Sequence, residues 1–304
     1  MTSRPLRTAL VTRGYTQALK DGTITPRGFA FDFEEVPTII KAFRRMVRGV
    51  EFDVCEMALT TYVCARAHGK RFTAIPVFPM RAFHHGAIVR NTASGIEKPT
   101  DLEGQRVGVN RGYTVTTGVW ARGILQHQYG VDLSRVTWVL SGDEHVAEWQ
   151  RPPNVVPMGD GLPMEERLVS GEIPAAINVQ VESPRVQPLI PDPLEAAFGA
   201  LRTHGLYPIN HTVVVKDELL NAHPDLAPAL FAAFAEAKRH YMNRIDDPLL
   251  VRVKEVIGDP LPYGLESNRH MIETLVQYAH EQHIIPRRFA ASDLFAAGTH
   301  DLSA

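Results

Sequence analysis

Between Phe72 and Asn91 the chain reads FTAIPVFPMRAFHHGAIVRN, and this stretch constrains the fold more than any other. Thr73 to Phe78 is a short apolar run with the composition of a buried strand, broken at Pro76 and Pro79. Arg81, His84 and His85 follow within five residues, and a second apolar run resumes at Ala87 to Val89. A cation and two imidazoles are costly to bury without partners. The stretch therefore reads either as a loop lining a cleft between two strands or as a surface turn with three ordinary polar residues.

The segments around it alternate strand and helix through residue 204. Leu6–Val11 is a strand candidate, ending in the polar Thr12-Arg13-Gly14-Tyr15 loop, and Phe29–Val36 is a second, with alternating Phe, Asp and Glu. Pro37 opens a helix with Ile39, Ile40, Phe43, Met46 and Val47 on one face and a solvated basic face of Lys41, Arg44, Arg45 and Arg48. Phe52–Met57 is a third strand and Leu59–Ala67 the helix after it. Glu56 stands at that junction, as a cleft residue or as an N-terminal helix charge favoured by the dipole.

After a polar stretch at 91–98 and a helical turn at Pro99–Leu102, the strand Arg106–Val109 leads through Asn110-Arg111-Gly112-Tyr113-Thr114 into the helix Val115–Tyr129, closed by Gly130. A strand, a polar Gly-containing loop and a helix N-terminus present N–H groups to an anion, with hydroxyls of Thr114, Thr116 and Thr117 beside them. The same threonines also suit a capping role. There is no GxxxxGK[ST] sequence. Further on come a strand at Val136–Leu140, a Pro- and Gly-rich covering segment at Asp143–Pro163, a helix at Met164–Ser170, a strand at Ala175–Val179 and a helix at Leu194–His204. The β run Leu206–Val215 carries Asn210 and His211. Helices at Asp225–Asn243, Pro248–Ile257 and Arg269–His283 close the chain, and their apolar faces offer a surface for a homo-oligomer.

This order predicts an α/β fold with largely parallel sheets. The β runs 84–91 and 206–215 each link one set of βα units to another. The simplest architecture is two lobes joined by two crossover strands, lobe one being 1–91 with 208–304 and lobe two 92–207. A ligand would lie between them, with hinge closure as the expected motion.

Composition narrows the function. With 44% hydrophobic and 22% charged residues the chain is ordinary globular protein, and a net charge of −2 argues against a nucleic-acid partner. Cys55 and Cys64 have no metal-binding or CxxC spacing and read as reduced, buried thiols. The apolar run Ala9–Val11 is too short for a leader or membrane anchor, so the expectation is a cytoplasmic protein without membrane association.

Five runs carry a resemblance. FDVCEMALTTYVCARAHG, FTAIPVFPMRAFHHGAIVRN, DLEGQRVGVNRGYTVTTGVWARGILQHQYGV, YPINHTVVVKDEL and PYGLESNRHMIETLVQYAHEQHIIPRR, spanning Phe52 to Arg288 in order, resemble the 4,5-dihydroxyphthalate decarboxylase family. The PYG-x-E-x-NR core at Pro262–Arg269 is the most characteristic; Asp143–Pro163 and the C-terminal end match less well. The resemblance implies a type II periplasmic-binding-protein-like clamshell and conversion of a small aromatic dicarboxylate to protocatechuate and CO2. That chemistry needs cations for the dianion, a proton donor at the ipso carbon and a base near the phenol, and in principle no metal or organic cofactor.

On this resemblance Arg81 is the first choice of carboxylate clamp. His84 and His85 are the acid/base candidates, pointing to opposite faces if they lie on a strand, with His85 favoured. His211 is either an acid/base group or a satisfied core histidine, and Glu56 is a further catalytic candidate. Arg13 and Arg111 are candidates for the second carboxylate, and Thr114, Thr116 and Asn178 for polar contacts. Arg269 is either a substrate contact or half of a structural ion pair with Glu266. A metal site from Glu56, His84, His85 and His211 is the less favoured alternative, since no HxH or HExxH occurs. The competing function is a solute-binding protein for an aromatic carboxylate, without turnover.

Overall fold

A computed structural model of the chain describes residues 5–304; the leader reading of the N-terminus rests partly on residues 1–4, outside the described residues. In chain order the strands are β1 (Leu6–Ala9), β2 (Phe31–Phe33), β3 (Val54–Ala58), β4 (Phe72–Arg81), β5 (Ile88–Asn91), β6 (Arg106–Val109), β7 (Thr137–Leu140), β8 (Val155–Pro157), β9 (Ala175–Ile177), β10 (Val186–Pro188) and β11 (Ile209–Lys216). They form one five-stranded and one six-stranded sheet. Two compact units contain them: Met1–Arg81 with Ile209–Thr274 and Phe289–Ala304, and Ala82–Pro208 with Leu275–Arg288. The segment Leu275–Arg288, which the sequence reading assigns to lobe one, packs in the second unit.

The sheet of the first unit has the order β2-β1-β3-β11-β4. β1 runs parallel to β2 and β3, while β11 is antiparallel to both β3 and β4. β3, VCEMA, is buried along its whole length, as an inner strand covered on both faces must be. The helix Ile39–Gly49 buries Ala42, Phe43, Met46 and Val47, one stripe of its expected apolar face. The helix Leu226–Met242 buries Leu226, Leu230, Phe231 and Phe234, each contributing roughly 1.5–3 kcal/mol of apolar burial.

β4 corrects one expectation. It runs unbroken through Pro76 and Pro79 rather than stopping at them. It is the edge strand of its sheet, where a missing N–H on the open side breaks no ladder. The proline carbonyls are still used: Gly264 N donates to Pro76 O at 2.8 Å and the Tyr15 hydroxyl to Pro79 O at 2.7 Å.

The sheet of the second unit has the order β10-β5-β9-β6-β7-β8. β6, β7, β8 and β9 are parallel neighbours, whereas β5 is antiparallel to β9 and β10. The sheets are therefore mixed rather than largely parallel. β5 and β11 enter their sheets from the junctions near residues 81 and 208 rather than through crossover helices, so the parallel βαβ geometry does not bind them. Two short strands, β8 and β10, fall in segments read as irregular; at three residues each they are too short to leave a periodic signal. The helix Thr116–Tyr129 ends as read, with Gly130 left-handed at φ 71°.

Cys55 and Cys64 are buried and unpaired in any disulfide. No helix among the described residues is long and apolar enough to cross a membrane. The apolar faces of Leu226–Met242 and Arg269–Glu281 are largely consumed inside the chain, and Leu249, Val251 and Ile257 are the large apolar side chains of the C-terminal helices left exposed.

Candidate functional site

In each unit the sequence-predicted residues gather at one end of the sheet. In the first unit, β1 and β3 are parallel; Arg13 lies in the loop after β1, and Glu56 stands in the middle of β3, two residues before its carboxyl end. β11 runs the other way, so its first residues, including His211, lie opposite Ala58 at that same end. Arg81, the last residue of β4, pairs with Ile209 there. This is the sheet end where open α/β folds place ligands.

Glu56 is fully buried, and every acceptor position of its carboxylate is engaged. Arg13 grips it with two bonds, Nη1 to Oε2 at 2.9 Å and Nη2 to Oε1 at 2.8 Å. Val11 N donates to Oε2 at 3.1 Å, and His211 Nδ1 lies 2.5 Å from Oε1. Burial alone would raise the Glu56 pKa; the His211 hydrogen bond and charge, with the Arg13 guanidinium, outweigh it and hold the carboxyl at about 2. Burial likewise works against the Arg13 charge, and Glu56 overcomes it, leaving the Arg13 pKa raised. The Glu56 carboxylate accepts, so Nδ1 of His211 carries the proton and Nε2 is the nitrogen left for exchange. Phe43 fixes the ring edge-on, with centroids 5.1 Å apart. Arg13 thus serves Glu56, and is not an open clamp for a second carboxylate.

Arg81 donates through Nη2 to Oδ1 of Asn268 and lies 5.8 Å over the Phe78 ring. Asn268 is itself buried, donating from Nδ2 to Pro262 O at 3.0 Å and Gly264 O at 2.8 Å. The PYG-x-E-x-NR motif therefore folds onto its own asparagine, which presents an acceptor to Arg81. Arg269 is turned to different use: its Nε meets Glu266 Oε2 at 3.0 Å and its Nη1 meets Glu273 Oε1 at 3.4 Å, on an exposed helix start. The ion pair takes up this guanidinium.

In the second unit the parallel strands β6, β7 and β9 end at Asn110–Thr114, Ser141–Glu144 and Asn178. β5 is antiparallel to β9, with Ile88 opposite Ile177, so the residues just before β5 lie at the same end. Those are His84 and His85, in a turn of 3-10 helix (His85–Ala87) rather than on a strand, so the alternation of faces does not govern them; both are buried. His85 Nε2 lies 2.9 Å from Gln128 Oε1, and its Nδ1 has no hydrogen-bond partner among the described residues. Burial lowers its pKa, only partly offset by Gln128, which favours a neutral ring.

The loops at this end are knitted together. Asn178 N donates to Ala87 O at 2.8 Å, Asn110 Nδ2 to Asn178 O at 2.8 Å, and Arg111 N to Ser141 Oγ at 2.8 Å. Arg111 and Asn178 both hold left-handed backbones, at φ 71° and 61°. Such strain in non-glycine residues is characteristic of functional sites. The loop at Gly112–Thr114, expected to present N–H groups to an anion, meets a carboxylate of the chain itself. Glu144 Oε2 accepts from Thr114 N at 3.1 Å and Thr114 Oγ1 at 2.6 Å, and Oε1 accepts from Tyr113 N. Thr116 is buried in the first turn of the helix that follows.

Among the described residues no three His, Cys, Asp or Glu side chains form a metal-ligating group, so Glu56, His84, His85 and His211 do not assemble one.

The chain is similar over most of its length to a protein of known activity. It is 31% identical over 280 residues to 4,5-dihydroxyphthalate decarboxylase of Comamonas testosteroni, a match covering 83% of this chain and 84% of that protein. The chain belongs to the 4,5-dihydroxyphthalate decarboxylase family. A second member, from Pseudomonas putida, is 36% identical over 171 residues, covering 51% of this chain and 65% of that protein. No family model matches the sequence. Among solved structures, the periplasmic aliphatic sulphonate binding protein SsuA of Escherichia coli superposes with a TM-score of 0.55 at 12% identity, over 97% of this chain and 98% of that one. The desulfurization enzyme DszB gives 0.55 at 14% identity, over 96% of each. This family member therefore has the periplasmic-binding-protein fold. One neighbour is a binding protein and the other an enzyme, so the fold does not separate binding from turnover.

Sequence reasoning missed three residues that define these arrangements: Glu144, Asn268 and Gln128. Asn268 lay inside the characteristic motif and had a signal. The others act across 30 or more residues, and nothing in their own neighbourhoods marks them.

Proposed function

We propose that this chain decarboxylates 4,5-dihydroxyphthalate, or a closely related hydroxylated aromatic dicarboxylate, to protocatechuate and CO2, with His211 as the proton-transfer group. Family membership supports the reaction class. The observation that carries the assignment is the 2.5 Å bond between His211 Nδ1 and the ionised, buried Glu56.

In 4,5-dihydroxyphthalate each hydroxyl is para to one carboxylate. His211 Nε2 delivers its proton to the ipso carbon, and the resulting cation is stabilised through the para oxygen. The bond from ring carbon to carboxylate then breaks, its electron pair restores the aromatic ring, and CO2 leaves. His211 ends neutral and regains a proton from solvent. Glu56 orients the imidazole and holds a negative charge beside it throughout, while Arg13 keeps Glu56 ionised and in place. Arg81, poised by Asn268, supplies a guanidinium for a substrate carboxylate. Arg111, Thr114, Thr116 and Asn178 are proposed polar contacts, His84 and His85 are proposed as buried supporting imidazoles, and Arg269 is left out because Glu266 and Glu273 hold it. The two unlinked thiols suit a reducing cytoplasm.

The test is direct. The purified, chelator-treated protein is incubated with 4,5-dihydroxyphthalate, and CO2 and protocatechuate are measured. Equal amounts of both products are expected; ligand binding without either product would overturn the reading.

A further inference from the structure

The carboxylate of Glu144 occupies a receptor more elaborate than a helix cap needs. It takes two backbone N–H groups and one hydroxyl, from Tyr113 and Thr114. Its fit demands Gly112: a Cβ there would lie 2.5 Å from Glu144 Oε2. The left-handed backbone of Arg111 just upstream shapes the same loop, tied at Ser141 to the loop that carries Glu144.

A second, independent feature is a buried cation against the same loop. Arg122 is fully buried, with Nε donating to Gln282 Oε1 at 2.8 Å and Nη2 to the Tyr113 carbonyl at 2.6 Å. Its guanidinium stacks 3.7 Å from the Tyr113 ring centroid. Its third nitrogen, Nη1, has no hydrogen-bond partner among the described residues and points at the first turn of the helix, where a Cβ on Gly118 would meet it at 3.0 Å. A buried cation with an unused donor sets a positive potential behind the loop that Glu144 only partly answers. Glu144 itself is half-buried, so solvent and solutes reach it.

We propose that the Gly112–Thr114 loop is a receptor for a ligand carboxylate, and that Glu144 occupies it as an internal surrogate which that carboxylate displaces. The donor set is complete before the ligand arrives, so Glu144 keeps the loop formed and satisfied, and exchange trades one carboxylate for another without leaving N–H groups bare. The exchange lowers apparent affinity by the fraction of molecules in which Glu144 has let go. That the ligand is the substrate rests on the function proposed above; the carboxylate chemistry of the loop does not.

The experiment uses phthalate, an aromatic dicarboxylate without the hydroxyls that decarboxylation requires, so turnover does not enter the readout. Isothermal titration of the full chain compares wild type with Glu144→Gln and Glu144→Ala. Removing the surrogate is expected to tighten phthalate binding by about tenfold or more, while the unliganded variants melt lower. Phthalate binding no tighter than wild type, with the lower melting temperature alone, would make Glu144 a structural cap and overturn the proposal. Should the variants fail to fold, the wild-type amide resonances of Tyr113 and Thr114 decide: they are expected to shift to saturation along the calorimetric isotherm, and unmoved resonances at saturating phthalate overturn it. Failure of 4,5-dihydroxyphthalate turnover beside an intact phthalate response would refute the decarboxylase reading and leave the receptor standing.

Discussion

Glu56 and His211 sit on neighbouring antiparallel strands, and their side chains meet at 2.5 Å between Oε1 and Nδ1, two ladder positions from where their backbones pair with others. β11 has register irregularities against β4 on both sides of His211, between Ile209 and His211 and between His211 and Val213. Bulges of this kind re-aim a side chain next to active sites. Against β3 the register is unbroken, so His211, opposite Ala58, shares a sheet face with Glu56 and reaches diagonally to the carboxylate that Arg13 already holds.

If His211 moves the proton, His211→Ala lowers kcat by about 10²–10⁴-fold with little change in substrate binding. His85→Ala costs less, since that ring is buried against Gln128. Comparable kcat losses for the two variants would remove His211 from the central role. Glu56→Gln keeps the shape but forfeits the charge, and is expected to reduce kcat without raising KM.

The Glu56 carboxyl also predicts a pH signature. Its folded pKa is depressed to about 2 from an ordinary 4.5, so its contribution to stability is fully present above pH 4.5 and lost as pH falls toward 2. The size is on the order of 3 kcal/mol. Chemical denaturation of wild type and Glu56→Gln should show a gap at pH 7 that narrows through this window. A gap that stays constant between pH 5 and pH 2.5 would contradict the assignment.

Arg81 and Asn268 predict a second pair of effects. Arg81→Ala should raise KM by one to two orders of magnitude, roughly the 1.5–3 kcal/mol of a charge-assisted bond. Arg81→Lys should restore little of it, because a point charge does not reproduce a planar fork. Asn268→Ala removes the acceptor that poises Arg81 and two bonds to the PYG-x-E-x-NR loop, so it should raise KM and lower the melting temperature together.

The residues at the sheet ends were legible in the sequence because strand-loop-helix order places them there whatever the detailed packing. Arg13, Glu56, Arg81 and His211 come from four strands or their loops: Arg13 and Arg81 follow apolar runs, and Glu56 and His211 interrupt them. What each side chain does was less legible. Whether Arg13 clamps substrate or Glu56 depends on a contact across 43 residues, and whether the Gly112–Thr114 loop is open depends on Glu144 from a segment read only as covering. Arg269 shows the converse: Glu266, three residues before it, was local enough to be foreseen as an ion-pair partner, although Glu273, four after it, was not foreseen. The prolines of β4 misled because a break and an edge strand look alike until the neighbours are known.

The helix Thr116–Tyr129 meets Tyr278 through a glycine. A Cβ on Gly123 would lie 2.0 Å from Tyr278 Cδ2, far inside contact distance, and Trp120 packs edge-on against the same ring with centroids 5.6 Å apart. In an exposed helix Gly→Ala stabilises by up to about 1 kcal/mol, so a gain here would mean the ring moves freely. Tyr278 is also stacked at 4.7 Å on His127, one turn further along the same helix, and overpacking against a confined ring costs about 1–3 kcal/mol. Gly123→Ala is therefore expected to lower the melting temperature by several degrees. Trimming the ring in the double variant Gly123→Ala/Tyr278→Leu should recover part of the loss, because the two changes share one contact and are not additive. Calorimetric melting of the two single variants and the double variant measures that coupling, and strictly additive losses would show that the glycine is not there for the ring.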